Sequence, residues 1–150
     1  MNLTKEQRAE LRIKFRGRCA YCGCDLPEKG WHADHVEPVD RVLKLAKDKR
    51  GYTVSVATGQ VRNPSADKIE NLFPACAPCN IDKQSLPLYL WRRRLEDLAD
   101  NCRRNCSAFR RAERFRRVSV IPGPVVFWFE TFQEKTAKVG GQTRQSLILD

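Results

Sequence analysis

Apolar positions recur along this chain with two different periods, and the changes of period divide it into elements. Leu11 and Phe15 share a helical face, Thr4 and Gln7 are spaced as a capping box, and Gly17 stands where that helix would end. Trp31 to Val39, W-H-A-D-H-V-E-P-V, reads as extended chain stopped by Pro38. Asp40 is placed to cap a short helix over residues 41–50, with Val42, Leu45 and Ala46 inward and Gly51 closing it. Tyr52, Val54 and Val56 alternate as a strand that turns around Thr58-Gly59 and returns through Val61. After the loop N-P-S-A-D-K (63–68), Leu72 to Ala75 is short and apolar, and a helix begins near Asn80. Leu88, Trp91, Leu95 and Leu98 then mark one face of a long helix starting after Ser85, with Pro87 suited to an early helical position. Val118 to Ile121 and Val125 to Phe129 read as strands flanking a Pro-Gly-Pro turn, and from Lys135 the chain becomes a polar, loose tail. The pattern predicts an α+β protein without internal repeats beyond two short cysteine turns.

At 150 residues the chain has the length of one compact unit, and 41% hydrophobic content provides for a modest core. The longest uncharged stretch, Val118 to Phe129, is broken by Pro122, Gly123 and Pro124, well short of the ~18 apolar residues of a membrane span. Lys5, Glu6 and Arg8 interrupt any N-terminal apolar run of the secretory kind. The expectation is a soluble, cytoplasmic protein with no membrane partner.

Seven cysteines, an odd number, fit poorly with a disulfide framework in such a compartment. Four form matched pairs, Cys19-Ala-Tyr-Cys22 and Cys76-Ala-Pro-Cys79. A two-residue gap lets both sulfurs of a tight turn converge on one ion, and two such turns complete a tetrahedral Zn²⁺ site. Gly23, directly after Cys22, suits a turn that needs positive φ. The two turns are far apart in sequence, so the ion would staple distant segments, with an apparent binding free energy of ~10–16 kcal/mol as in small zinc domains. Cys102 and Cys106 extend the apolar stripe and are expected to be buried. Cys24 lies too near Cys22 to be a comfortable further ligand and reads as a partly buried thiol.

Net charge is +10, and ten arginines against four acidic residues fall in residues 92–117 alone. Arg92, Arg93, Arg94, Arg103 and Arg104 lead this run, and the guanidinium fork matches phosphate oxygens. A polyanion is the economical partner; a solvated helix face is the plainer explanation.

The only histidines, His32 and His35, flank Asp34 between the cysteine turns, and Asn71, Asn80 and Lys83 surround the second turn. An Asp-His pair alone is weak, since structural histidines on strands are common. A zinc staple would, however, bring Asn80 near Asp34 and His35.

Three ordered stretches, F-R-G-R-C-A-Y-C-G, A-D-H-V-E-P and E-N-L-F-P-A-C-A-P-C-N-I-D-K, resemble the HNH endonuclease family in its zinc-stapled ββα-metal form, as in small phage or prophage members. The resemblance spans residues 15–83. It implies a nuclease core over 1–91, with 40–66 inserted between the two core strands, and a basic helical extension over 92–150 that packs on the core and ends in short strands. It implies His35 as general base and Asp34 and Asn80 as ligands of a catalytic Mg²⁺ or Mn²⁺. Asn71 would bond across the loop to hold the histidine's backbone, Lys83 would touch a phosphate oxygen, and His32 would be an accessory group or a structural histidine. Asn80 stands where histidine is the commoner third signature residue, and its amide oxygen favours a hard ion. Asp34 and His35 are consecutive and would face opposite ways on a regular strand, so the strand is expected to end or bend there. Lys44, Lys47, Lys49 and Arg50 in the insertion either border DNA or belong to a solvated face. The implied activity is metal-dependent hydrolysis of DNA phosphodiesters, alone or beside a phage packaging complex in a bacterial or infected host cell. The rival reading is a non-catalytic zinc-ribbon-like DNA-binding or scaffolding module.

Overall fold

The computed structural model describes residues 2–132 and is a mixed α+β protein with two small antiparallel sheets. The polar tail expected from Lys135 onward lies outside the described residues. Helix α1 (Lys5–Lys14) begins at Thr4, whose hydroxyl accepts from the Gln7 amide at 3.2 Å while Gln7 Oε1 accepts from the Thr4 amide at 3.0 Å. Strands β1 (His32–His35) and β4 (Leu72–Ala75) pair antiparallel, with Asp34 opposite Phe73 and His35 opposite Leu72. Helix α2 (Ala77–Lys83) follows β4 immediately and starts at Ala77, one turn earlier than Asn80.

Residues 41–50 are not a helix. Arg41–Lys47 is strand β2, paired with β3 (Thr53–Val61), and Asp40 takes φ +51° rather than a capping conformation. Val42, Leu45 and Ala46 satisfy a helical spacing in so short a stretch, and cross-strand pairing decides the matter. The Asp48 carboxylate accepts from the Arg50 and Tyr52 amides at 2.8 and 2.9 Å, fixing the tight turn at Gly51. Nor does the chain reverse at Thr58-Gly59. Leu43 opposes Ala57 but Arg41 opposes Val61, so β3 bulges there, with Gly59 at φ +86°.

The expected long C-terminal helix is three short ones: α3 (Leu88–Glu96), α4 (Leu98–Asn105) and α5 (Ser107–Arg114). Cys106 has extended backbone and is exposed, and Cys102 is only half-buried, so neither continues a buried stripe. The break at Cys106 folds α5 back so that Glu113 receives the Arg103 guanidinium. The strands expected at 118–121 and 125–129 do not form; the second region ends in the short helix α6 (Trp128–Thr131). The backbone there has another partner: the Trp128 and Phe129 amides donate to Tyr21 and Ala20 carbonyls, both at 2.8 Å.

One core joins these parts. Leu11, Tyr21, Leu26, Trp31, Leu72, Trp91 and Phe127 are all buried together. Tyr21 meets Trp91 edge-on at 5.0 Å, and Trp91 stacks on Phe127 at 5.0 Å. The extension therefore closes over the first cysteine turn. Gly23 has φ +74°, and a Cβ there would lie 2.4 Å from the Trp128 ring, so both backbone and packing require glycine. No helix among the described residues is long and apolar enough to cross a membrane.

Candidate metal centre and active-site cleft

The two cysteine turns come together although more than fifty residues separate them. Within the first, the Cys19 amide donates to the Cys24 carbonyl at 2.8 Å and the Gly23 amide to the Cys19 carbonyl at 2.9 Å, turning the sulfurs toward one point. The Ala20 amide donates to Pro74 on β4 at 2.8 Å, which carries that turn to the second one. The Sγ atoms of Cys19, Cys22, Cys24 and Cys76 lie within 4.8 Å of one another. Cys22 and Cys76 sulfurs are 3.8 Å apart, matching the roughly 3.8 Å that tetrahedral geometry requires at a Zn–S distance of about 2.3 Å. Cys79, the expected fourth ligand, is hydrogen-bonded to Cys19, so five thiols share the site. Cys24 is thus not a bystander: the reversal of the turn at Gly23 returns it to the cluster.

The electrostatics of the donors fit a cation. Hydrogen bonding from Cys79 holds the Cys19 thiol well below its usual range, and the same bond pushes Cys79 up. Burial pushes Cys24 up to about 12, and burial also raises Cys76. One thiolate is favoured and further ones are resisted, which is the condition a soft-accepting divalent ion such as zinc relieves.

Beside this centre, β1, its exit and α2 enclose a cleft of about 280 Å³ lined by His32, Asp34, His35, Arg41, Asn80 and Gln84 among others. His32 and Asp34 share a face of β1, and β1 ends at His35, which frees that residue to turn to the same space. Asp34 is buried, and its Oδ2 accepts from the Tyr21 hydroxyl and lies 3.0 Å from Lys83 Nζ. Burial, and then the Asp34 charge, raise the Tyr21 phenol far above its usual range, so it remains a donor. Among the described residues Oδ1 has no partner, and it is the oxygen left to the cleft.

Lys83 does not project toward a ligand. It is fully buried, and its ammonium donates to the His35 carbonyl at 2.6 Å as well as pairing with Asp34. A charge removed from water requires such partners, and here they fix the end of β1 to the end of α2. Asn71 is a second brace. Its Nδ2 donates to the Glu37 and Ala66 carbonyls, both at 2.8 Å, its Oδ1 accepts from the Glu37 amide at 2.9 Å, and its carbonyl accepts from the Val36 amide at 2.9 Å.

Asp67 was not singled out by sequence, yet its Oδ1 lies 2.9 Å from His35 Nε2. A carboxylate there selects the tautomer with the proton on Nε2 and leaves the Nδ1 lone pair for a further proton. The two residues are 32 apart, and Asp67 sits in a loop that reads as ordinary turn chemistry, so no local signal marks it.

The arginines divide into two groups. Arg92 is turned inward, with its guanidinium 4.6 Å over Phe127 and bonded to the Val125 carbonyl and Glu130. Arg103 is held by Glu113 at 2.8 Å and Asp100 at 2.7 Å. Neither is a free phosphate contact, because neighbouring carboxylates already use their donors. Arg94 pairs loosely with Asp82 at 3.6 Å and Arg104 bonds to Asn101, whereas Arg93 is exposed. Comparison of the chain with protein-family models, with curated proteins and with solved structures finds no match.

Proposed function

We propose that the protein is a metal-dependent DNA endonuclease of the HNH type, hydrolysing phosphodiester bonds to 5′-phosphate and 3′-hydroxyl ends. The observation that carries this reading is the single cleft shared by Asp34, His35 and Asn80, with His35 oriented by Asp67. The order Asp34, His35, Asn71, Asn80 between and beside two Cys-x-x-Cys turns ties it to the HNH type.

In this mechanism Nε2 of His35 is occupied by Asp67, and Nδ1 takes the proton of the attacking water as its oxygen bonds to phosphorus. Asp34, through Oδ1, and the Asn80 amide oxygen supply hard donors suited to Mg²⁺ or Mn²⁺. Held there, such an ion would supply Lewis-acid stabilisation of charge on the phosphate and on the leaving 3′ oxygen. Tyr21 and Lys83 hold Asp34 through Oδ2, Asn71 braces the loop that follows His35, and the zinc centre clamps the elements on which all of them stand. Exposed arginines such as Arg93 add DNA backbone contacts.

The test is nicking of supercoiled plasmid by zinc-loaded protein with Mg²⁺, with Mn²⁺, or with neither. Cleavage should require the added ion, fall by roughly 10²–10⁴-fold or more in His35→Ala, and fall by less in Asp67→Asn, with zinc content unchanged. Cutting by His35→Ala at the wild-type rate overturns the assignment. Binding without cleavage under every metal condition favours the non-catalytic zinc-ribbon-like module.

A further inference from the structure

The ribbon β2–β3 is built as an arm. None of its residues from Arg41 to Val61 is buried, and Leu43 and Leu45 are 59% and 75% exposed. A two-stranded ribbon is marginal in water by itself, and neither face is covered by another layer of the fold. It is nevertheless held in shape by the Asp48 turn and by the Thr58 hydroxyl, which donates to the Val42 carbonyl at 2.9 Å.

Its charge is one-sided. Residues 40–62 carry six cations and two acids. Both acids are spent internally, Asp48 on its own turn and Asp40 on Arg62 at 3.2 Å. Arg41, Lys44, Lys47, Lys49 and Arg50 have no carboxylate partner among the described residues. The register puts Arg41, Leu43, Leu45 and Lys47 on one face with Thr53, Ser55 and Ala57. That face has cations at its two ends and short hydroxyl or apolar side chains between them. A second copy of the same ribbon would meet like charge, whereas a polyanion would meet complementary charge.

We infer that this ribbon is a DNA-docking arm that lies in the major groove beside the cleft, the Arg41–Lys47 face toward the base edges and the basic turn on the backbone. The inference rests on the nuclease reading for the identity of the polyanion. Strands of seven and nine residues span about 23–30 Å at ~3.3 Å per residue. A two-stranded ribbon enters the major groove, which is about 12 Å wide. Position agrees with size, because Arg41 at the base of the arm also lines the cleft. A duplex with a phosphate in the cleft would continue along the arm.

The experiment measures binding of zinc-loaded protein to a fluorescent duplex over a range of salt, without Mg²⁺ or Mn²⁺. Lys47→Ala/Lys49→Ala/Arg50→Ala, which removes the cation at the tip of the docking face and both cations of the turn, should weaken binding at least tenfold and lower the log–log salt slope by about 2–3, since each lost phosphate contact contributes ~0.9. Lys5→Ala/Lys14→Ala/Lys29→Ala, an equal loss of charge outside the arm, should change both much less. Methyl green, a major-groove ligand, should displace the wild type, and netropsin, a minor-groove ligand, should not. Equal effects of the two triple variants overturn the inference, as does displacement by netropsin alone. Hydrolysis of bis(p-nitrophenyl) phosphate, small enough to need only the cleft, should be unchanged in the arm variant. If the wild type binds duplex through the arm but hydrolyses neither this ester nor plasmid, the nuclease reading fails and the docking arm stands.

Discussion

Asp34 meets both of its buried donors through one oxygen, Oδ2, shared between the Tyr21 hydroxyl and the Lys83 ammonium. Removing one member of such a set leaves the others uncompensated in a dry environment. Lys83→Met should therefore lower stability by about 3–5 kcal/mol in urea unfolding, and adding Asp34→Leu should restore much of it. A surface phosphate-binding lysine would show neither effect. Tyr21 gives a pH signature. Its folded pKa is raised by burial and by Asp34, so its contribution to stability is complete below the unfolded phenol value of ~10 and is lost as pH rises beyond it. Tyrosinate absorbance should show a late component that coincides with unfolding and is missing in Tyr21→Phe. The sequence made Asp34, His35 and Asn80 legible as a chemical set, but it could not show that Asp67 faces His35 or that Lys83 faces inward. Both are contacts across the loops that link β1, β4 and α2, and spacing carries no record of them.

At the scale of elements, the arginine-rich segment illustrates how one residue type serves two purposes. Arg92 and Arg93 are neighbours on α3, yet one covers Phe127 and binds Glu130 while the other is exposed. Arg92→Ala should cost roughly 1–3 kcal/mol of stability through lost stacking and pairing, measured by chemical unfolding. Arg93→Ala should leave stability within about 0.5 kcal/mol, as exposed substitutions generally do. Helical phase puts Arg93 opposite the Leu88, Trp91 and Leu95 stripe and Arg92 on its flank, but the acid and the aromatic ring that engage Arg92 belong to later segments. The same limit applies to β2. Its apolar positions fit a helix or a strand, and only the pairing of Lys44 with Val56 and Leu45 with Ser55 selects the strand.

Across the whole molecule, the thiol centre joins the N-terminal turn to β4 and α2, and the extension packs over that junction through Phe127 and Trp128. An ion bound there would staple turns that lie more than fifty residues apart in sequence. Chelation of the metal, or Cys76→Ser, should abolish cooperative thermal unfolding and lose zinc stoichiometry together, followed by calorimetry and metal analysis. Cys24→Ser gives a sharper contrast. If Cys79 supplies the fourth sulfur once an ion is bound, that variant should retain one zinc per chain.

The sequence by itself determined what local chemistry can specify: the Thr4 cap, the paired cysteine turns, the glycine at position 23, the short extended segments at 32–35 and 72–75, and the residue types able to hold metal and move a proton. Tertiary structure alone decided the strand at 41–47, the breaks between α3, α4 and α5, the recruitment of Cys24, the inward Lys83 and the partner of His35. The division follows from the range of the forces. Caps, turns and Cys-x-x-Cys geometry act within a few residues, whereas pairing of strands, compensation of buried charge and orientation of an imidazole are settled by groups that meet only after the chain has closed.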